Sequence, residues 1–571
     1  MKLLKLYSNN PSFHDIQFNP TGLSIIMGET SQSGENASLK GNCNGVGKTT
    51  ALRLVNFCLA ANSNEGLKKI PKEWSFFLEF ELNGQNHRIE RSVGNNTLAL
   101  DDKAIKLARL QKFFDGNGPF LIDKNVSGLS FRSLITRFMR HRREDISDEI
   151  YPVSSDQKPS DATIRSLYLL GAAYLLAERK KLNAVKLNNI RNQIKQYKEI
   201  KKNSRNNELG IDADLASHKQ RLERLKAQLE NMNIFEAFDD IRREIKDKEE
   251  KIETLFQKIS INNYQLASIN KALDYTPDMT ADELKGLYEG LKKLFKESAL
   301  EHFDKVEVFH KQMAENRTHR LECDKQQIQA ENERLNNEYL HLKESAKRLE
   351  AQLKNRHSEN EYQALLQEKN MHELEIERLG VVQKEIAALE QQQAKIRSII
   401  ANDNFEATKY VASSPLDCQS GLFQRLMLQF GEDIPAGISI TANGGNNQIQ
   451  FDLKVSAQSG KSTGITHEMT LAYDWLLLTH GSNHDLGFVW HDNALFADID
   501  AGHRAKWMEF IYQNSIDTGK QYIMSINSEN FEKSSPYWSE DILQKLQERV
   551  IMKLSGEKDT DKLLGIYFDD K

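Results

Sequence analysis

Glycine, valine, glycine, lysine and threonine occupy 45–49 and close the stretch GNCNGVGKTT. Gly45 and Gly47 at that spacing let backbone N–H groups turn inward around an anion. Lys48 then reaches the outer phosphates of a nucleotide, and the Thr49 hydroxyl is placed to ligate Mg²⁺. This chemistry suits ATP with Mg²⁺. Asn42 stands where such loops usually carry a first glycine; it constrains entry to the loop but removes no phosphate ligand. Asn42, Asn44, Gly45, Gly47, Lys48, Thr49 and Thr50 are the candidate nucleotide contacts.

The context fits. The apolar run GLSIIMG precedes the loop, separated from it by a long polar insertion from Glu29 to Lys40, and TALRLVNFCLA follows as a helix. A second element, LGFVWHD, reads as a buried strand ending in Asp492, a carboxylate that could order Mg²⁺ and its water shell. The next residue is Asn493, and an asparagine cannot serve as a general base. Slow hydrolysis follows, or recruitment of His491 or Asp498. A third element, Ser462-Thr463-Gly464 before ITHEMTLAYDWLLL, is either a plain N-capped helix start or a turn that touches a γ-phosphate. Asn527, ending QYIMSIN, is a further polar candidate.

These residues lie in the two ends of the chain. Nine of the ten prolines fall within 1–159 or 415–571, leaving Pro277 alone in the middle. Proline is excluded from helix interiors, so the middle reads as long helix. Leu187, Ile190, Ile194 and Tyr197 form an apolar seam there. The sequence predicts an N-terminal half at 1–165, an antiparallel coiled coil at 166–405 and a C-terminal half at 406–571. The coil's apex falls near 274–283, where Thr280 and Glu283 form a capping box, and 206–214 interrupts the outgoing leg. SFFLEFEL with HRIERSV, and GISITANGGNNQIQFDLKVS, read as hairpins, and LLGIYFDD as a final strand. The fold class is α/β: one ATPase head assembled from both halves, joined by a coiled-coil hairpin.

With 571 residues, 28% charged, and a net charge of −5, the chain is no polycation, so any nucleic-acid contact must be local. Four scattered cysteines exclude a CxxC zinc site and fit a reducing cytoplasm. No apolar run is long enough to span a bilayer, and no membrane role is expected.

A split ATPase whose halves are joined by a long coil resembles the SMC-like branch of ABC ATPases. NGVGKTT, GLSFRSLITRFMR, FHKQMAENRTHRL, VWHDNALFADID and QYIMSINSE are similar to a bacterial SMC-like family known chiefly as a domain of unknown function. That resemblance implies heads that pair as a homodimer around two ATP molecules, with Ser462 and Gly464 facing the partner's nucleotide. It implies the Walker B role for Asp492, and it makes Asn493 a departure from the catalytic glutamate usual in ABC ATPases. It also implies the ATPase subunit of a three-component antiphage or antiplasmid system, including Lamassu-type ones. Such a subunit senses DNA and controls a companion effector, often a nuclease, alongside a small accessory subunit. Two alternatives stay open: an ATP-binding clamp that scarcely hydrolyses, and a DNA-repair or chromosome-maintenance ATPase.

Two basic clusters are candidates for sequence-independent contact with double-stranded DNA. Arg191, Lys195, Lys198, Lys202 and Arg205 form a stripe beside the apolar seam, which Glu373, Glu375 and Glu377 could instead neutralise. Arg137, Arg140, Arg142 and Arg143 form the second cluster, with a partner protein as its rival ligand.

Overall fold

The computed structural model describes residues 1–29, 45–62, 67, 69–94, 97–140, 158–202, 210–231, 239–273, 303–353, 358–431, 433–460 and 462–566. The chain divides into two units. Met1–Ala184 with Ile400–Lys571 form the first, and Val185–Leu284 with Phe295–Ile399 the second.

The first unit is built on a five-stranded sheet. Its strands are β3 (Gly22–Glu29), β8 (Met139–Arg140), β11 (Phe488–His491), β12 (Gln521–Asn527) and β13 (Val550–Ser555). Their order is β13-β3-β12-β11-β8, every neighbour is parallel, and both ends of the chain contribute. β11 and most of β12 are buried without alternation, as expected of central parallel strands covered on both faces. The helix Thr463–His480 is buried continuously from His467 to Leu478, because its apolar residues run all round it.

A second sheet, antiparallel, consists of β1 (Lys2–Ser8), β2 (Ile16–Gln17), β4 (Ser75–Leu82), β5 (Gln85–Ser92), β6 (Leu98–Leu100) and β7 (Lys103–Ala104), in the order β2-β1-β4-β5-β6-β7. Its β4 and β5 join through Asn83 and Gly84, with φ of 53° and 75°. Two positive φ values give the turn whose twist matches a hairpin. Gln521 ties the two sheets together: its side chain accepts from Leu3 N at 2.8 Å and donates to Leu3 O at 2.7 Å. β9 (Ala436–Ala442) and β10 (Phe451–Ala457) pair as the expected C-terminal hairpin. Of the expected final strand at LLGIYFDD, Leu563 to Ile566 form turns and bends, and 567–570 lie outside the described residues; the last strand among the described residues is β13.

The second unit is helical. Near its start, Ile190 and Ile194 pack on Ile386, and Gln383 donates to Asp212 at 2.6 Å. Arg221 meets Glu368 at 2.8 Å, so numbers rise on one side as they fall on the other and the pairing is antiparallel. The helix Asp239–Leu273 runs antiparallel to Phe303–Leu353: Asn332 donates to Asn263 at 2.8 Å, and Leu255 and Ile259 cover Leu335. Its far end also returns to the start of the unit, where Lys271 donates to Gln196 at 2.6 Å. The described helices therefore fold back on each other as a bundle instead of forming one two-legged hairpin. An apolar seam requires a cover but does not say which helix supplies it. The expected apex at 274–283, with Pro277 and the capping box, lies outside the described residues.

Candidate functional site

In a parallel sheet, ligands gather outside the carboxyl ends of the strands. β3, β12 and β11 are consecutive neighbours, so their carboxyl ends lie side by side. Gly45 and Gly47 have φ of 79° and 109°, a region open to glycine, and Gly47 leads into the helix Lys48–Cys58. A helix start of this kind presents its first-turn backbone N–H groups as an anion site. Leu563 closes the loop from behind: its N–H donates to Val46 O at 3.0 Å. A Cβ on Gly47 would overlap that of Leu563.

Lys48 is buried and lies along Gly28, near the end of β3. A Cβ on Gly28 would overlap Lys48 Nζ and stand 3.2 Å from its Cδ and Cε. Thr49 Oγ1 donates to Asp492 Oδ2 at 2.9 Å, joining residues 443 apart in sequence. Thr50 is buried beside them in the chain, inside the helix. A hydroxyl and a carboxylate at hydrogen-bond distance, beside an ammonium and an inward-turned loop, fit a nucleotide triphosphate with Mg²⁺: Lys48 for the phosphates, Thr49 and Asp492 for the cation. Asn42 and Asn44 lie outside the described residues.

Asn493 has a structural task. Its Oδ1 accepts from the backbone N–H of Asn527 at 2.9 Å and from Asn530 Nδ2 at 3.4 Å. It thereby ties the end of β11 to the end of β12. Replacing it by alanine strands the Asn527 donor, a loss of about 1–3 kcal/mol; Asn493→Asp keeps an acceptor and is expected to keep most of that stability. Thermal denaturation of the two variants checks this, and an alanine variant that melts with the wild type would contradict it.

His491 is not placed to act on water. It is fully buried, its Nδ1 meets Tyr522 Oη at 2.8 Å and its Nε2 meets Asp474 Oδ2 at 3.3 Å. Burial lowers its pKa, against the opposing effect of Asp474, and it serves as a neutral core residue. Being the last residue of a strand whose alternate side chains face opposite ways, it points away from the side occupied by Asp492.

Arg137 and Arg140 belong to the same core network, which corrects their assignment to DNA. Arg140 is 0% exposed and grips Asp474 with Nε at 2.5 Å and Nη2 at 2.7 Å. Arg137 lies 3.5 Å from Asp474 and donates to Ser166 at 3.0 Å. Guanidinium groups so enclosed cannot reach a phosphate backbone. Arg142 and Arg143 lie outside the described residues, as do Arg205 and the side chain of Lys202.

In the second unit Arg191, Lys195 and Lys198 are exposed. Lys195 is 3.6 Å from Glu199 and Lys198 is 3.9 Å from Glu390, both solvated pairs. Of the acids expected to neutralise the stripe, Glu373 pairs with Lys226 and Lys369, and Glu375 with Arg378. Ser462 is exposed at the start of the Thr463–His480 helix and makes no side-chain cap, while Gly464 backs onto the Asp498 carbonyl, 2.8 Å from where a Cβ would lie. The turn thus packs on the segment that follows Asp492. Asp498 itself is exposed. Among the described residues no group of three or more His, Cys, Asp or Glu is placed to hold a metal. No helix among them is long and apolar enough to cross a membrane.

Sequence reading missed Gly28, Leu563 and Asp474. Only Gly28 had a local signal, a glycine closing the apolar strand that precedes the insertion and the loop.

Residues 422–568 match a family model described as an uncharacterised protein conserved in bacteria, DUF2326. No curated protein matches the sequence. Among solved structures, the chain is similar to an Smc head domain with a coiled coil and joint from Pyrococcus yayanosii. Identity is 12%, 95% of this chain and 93% of that one are covered, and the TM-score is 0.34. It is also similar to an Smc head domain with an extended coiled coil bound to the C-terminal domain of ScpA, from Pyrococcus furiosus. There the identity is 11%, the coverage 93% and 91%, and the TM-score 0.31.

Proposed function

We propose that the chain is an SMC-like ATPase whose first unit is a split P-loop head binding ATP and Mg²⁺. The observation that carries this reading is the 2.9 Å contact between Thr49, in the first turn of the Lys48–Cys58 helix, and Asp492, the residue after β11, from opposite halves of the chain. Lys48 seated on Gly28 supplies the phosphate ligand beside it. Gly45, Gly47 and Thr50 complete the loop; Ser462 and Gly464 offer an exposed turn through which a second head could reach the nucleotide. The motif resemblance extends the proposal to a homodimer that senses double-stranded DNA and controls a companion nuclease in antiphage or antiplasmid defence. Arg191, Lys195 and Lys198 are the exposed cations for DNA.

ATP binding and hydrolysis by wild type and Lys48→Ala, with and without linear and circular DNA, test this. Lys48→Ala is expected to lower turnover on the order of 10²-fold or more, since the lysine acts on developing phosphate charge. A wild type that binds no nucleotide sinks the reading. The second reading is a clamp that binds ATP and scarcely turns it over. It is favoured by Asn493, which offers an amide, committed to Asn527, where a carboxylate base would stand. Binding without turnover under every DNA condition selects it.

A further inference from the structure

In the second unit, His218 of the helix Ile211–Asn231 faces His372 of the helix Ser358–Ala412. Their Nδ1 atoms are 2.7 Å apart, with ring centroids at 4.9 Å and planes inclined by 58°. Two nitrogens at that distance share one proton between two converging lone pairs, one ring donating and the other accepting. On the outer side of His372, Nε2 lies 3.8 Å from Glu368 Oε1. At 3.8 Å this carboxylate is a charged neighbour and not a hydrogen-bond partner; drawn into hydrogen-bond distance it would orient a ligating histidine and leave the near nitrogen for metal. Glu368 is itself held by Arg221, Nε at 3.0 Å and Nη2 at 2.8 Å, so its position is fixed.

We propose that His218 and His372 form a two-imidazole site for a transition-metal dication of the zinc or nickel class, clasping two helices of the second unit. Zn–N bonds of about 2.0–2.1 Å at tetrahedral angles hold two nitrogens roughly 3.3 Å apart. The pair need open by only about 0.6 Å, within the reach of small side-chain rotations. Water fills the remaining positions, and imidazole donors select zinc, nickel or copper over Mg²⁺. The ion replaces the shared proton, so its effect is to tie the helices together independently of nucleotide.

The test uses the untagged full chain, stripped with chelator and titrated with Zn²⁺ alone, Ni²⁺ alone and Mg²⁺ alone by calorimetry. Cys323 Sγ lies 3.5 Å from His319 Nδ1 on an exposed helix face and is a rival thiophilic pair, so Cys323→Ser is the background. One Zn²⁺ or Ni²⁺ per chain is expected there. Binding should weaken at least about tenfold in His218→Ala and in His372→Ala, with the metal-dependent rise in melting temperature of about 2–4 °C abolished. His218→Gln, which keeps a hydrogen-bonding side chain and the helix, is expected to lose the metal and retain the fold by circular dichroism. No binding in the Cys323→Ser chain, or undiminished binding in His218→Gln, overturns the site.

Discussion

Asp474→Ala is expected to destabilise the first unit by about 3–5 kcal/mol, the cost of breaking a buried ion pair by removing one partner. Asp474 is 0% exposed. It accepts both forks of Arg140 at 2.5 and 2.7 Å, and Arg137 and His491 approach at 3.5 and 3.3 Å. Burial alone would raise its pKa; Arg140, the hydrogen bond from His491 and Arg137 outweigh this and hold the carboxyl below its usual range. Alanine leaves the enclosed Arg140 guanidinium without its bidentate acceptor, and a buried cation is costly however well it packs. Trp475, Trp490 and Trp507 are fully buried in this unit, so urea denaturation followed by tryptophan fluorescence reads the loss directly. A change below about 1 kcal/mol would mean that the network behaves as a solvated pair. Loss of stability, and not a selective loss of DNA binding, is also what Arg140→Ala should show.

The same network marks the limit of what could be read from sequence. Arg137 and Arg140 stand in a basic run, and a local reading makes such a run a solvated face. Their carboxylate is more than 330 residues away, on a helix whose own pattern gives no hint of a basic partner. Strands β3, β11 and β12 were legible because unbroken apolar runs ending in Gly, Asp or Asn suit buried parallel strands. Their order was not, since no residue encodes which strand lies beside which. Lys48, Thr49 and Asp492 were legible because phosphate chemistry demands those atoms in a strand-loop-helix setting. Asn493 was legible as a non-base, but its bond to Asn527 was not, because it depends on β12 being the neighbour of β11. In the second unit the seam of Ile190 and Ile194 was readable, while the pairing was misjudged. Glu373 faces Lys226 because the helix register sets the level at which the charges meet.

Gly28→Ala should separate positioning of Lys48 from folding of the head. The added Cβ would overlap Nζ, the far end of a flexible side chain, and crowd Cδ and Cε at 3.2 Å. No backbone atom stands in its way among those it would meet, so the lysine can move aside cheaply and β3 keeps its pairing with β12 and β13. Stability is therefore expected to stay within about 1 kcal/mol of wild type. Function is not spared, because displacing a charge by about 1 Å from a phosphate can cost on the order of 10²-fold. Nucleotide affinity and turnover should fall toward those of Lys48→Ala. The double variant distinguishes this route from general damage. If alanine at 28 acts only through the lysine, Gly28→Ala with Lys48→Ala should be no worse than Lys48→Ala alone, the non-additivity expected of two changes that remove one interaction. A Gly28→Ala chain with wild-type turnover would show that Lys48 does not work from this seat. A double variant much worse than Lys48→Ala would show that Gly28 serves the loop by another path.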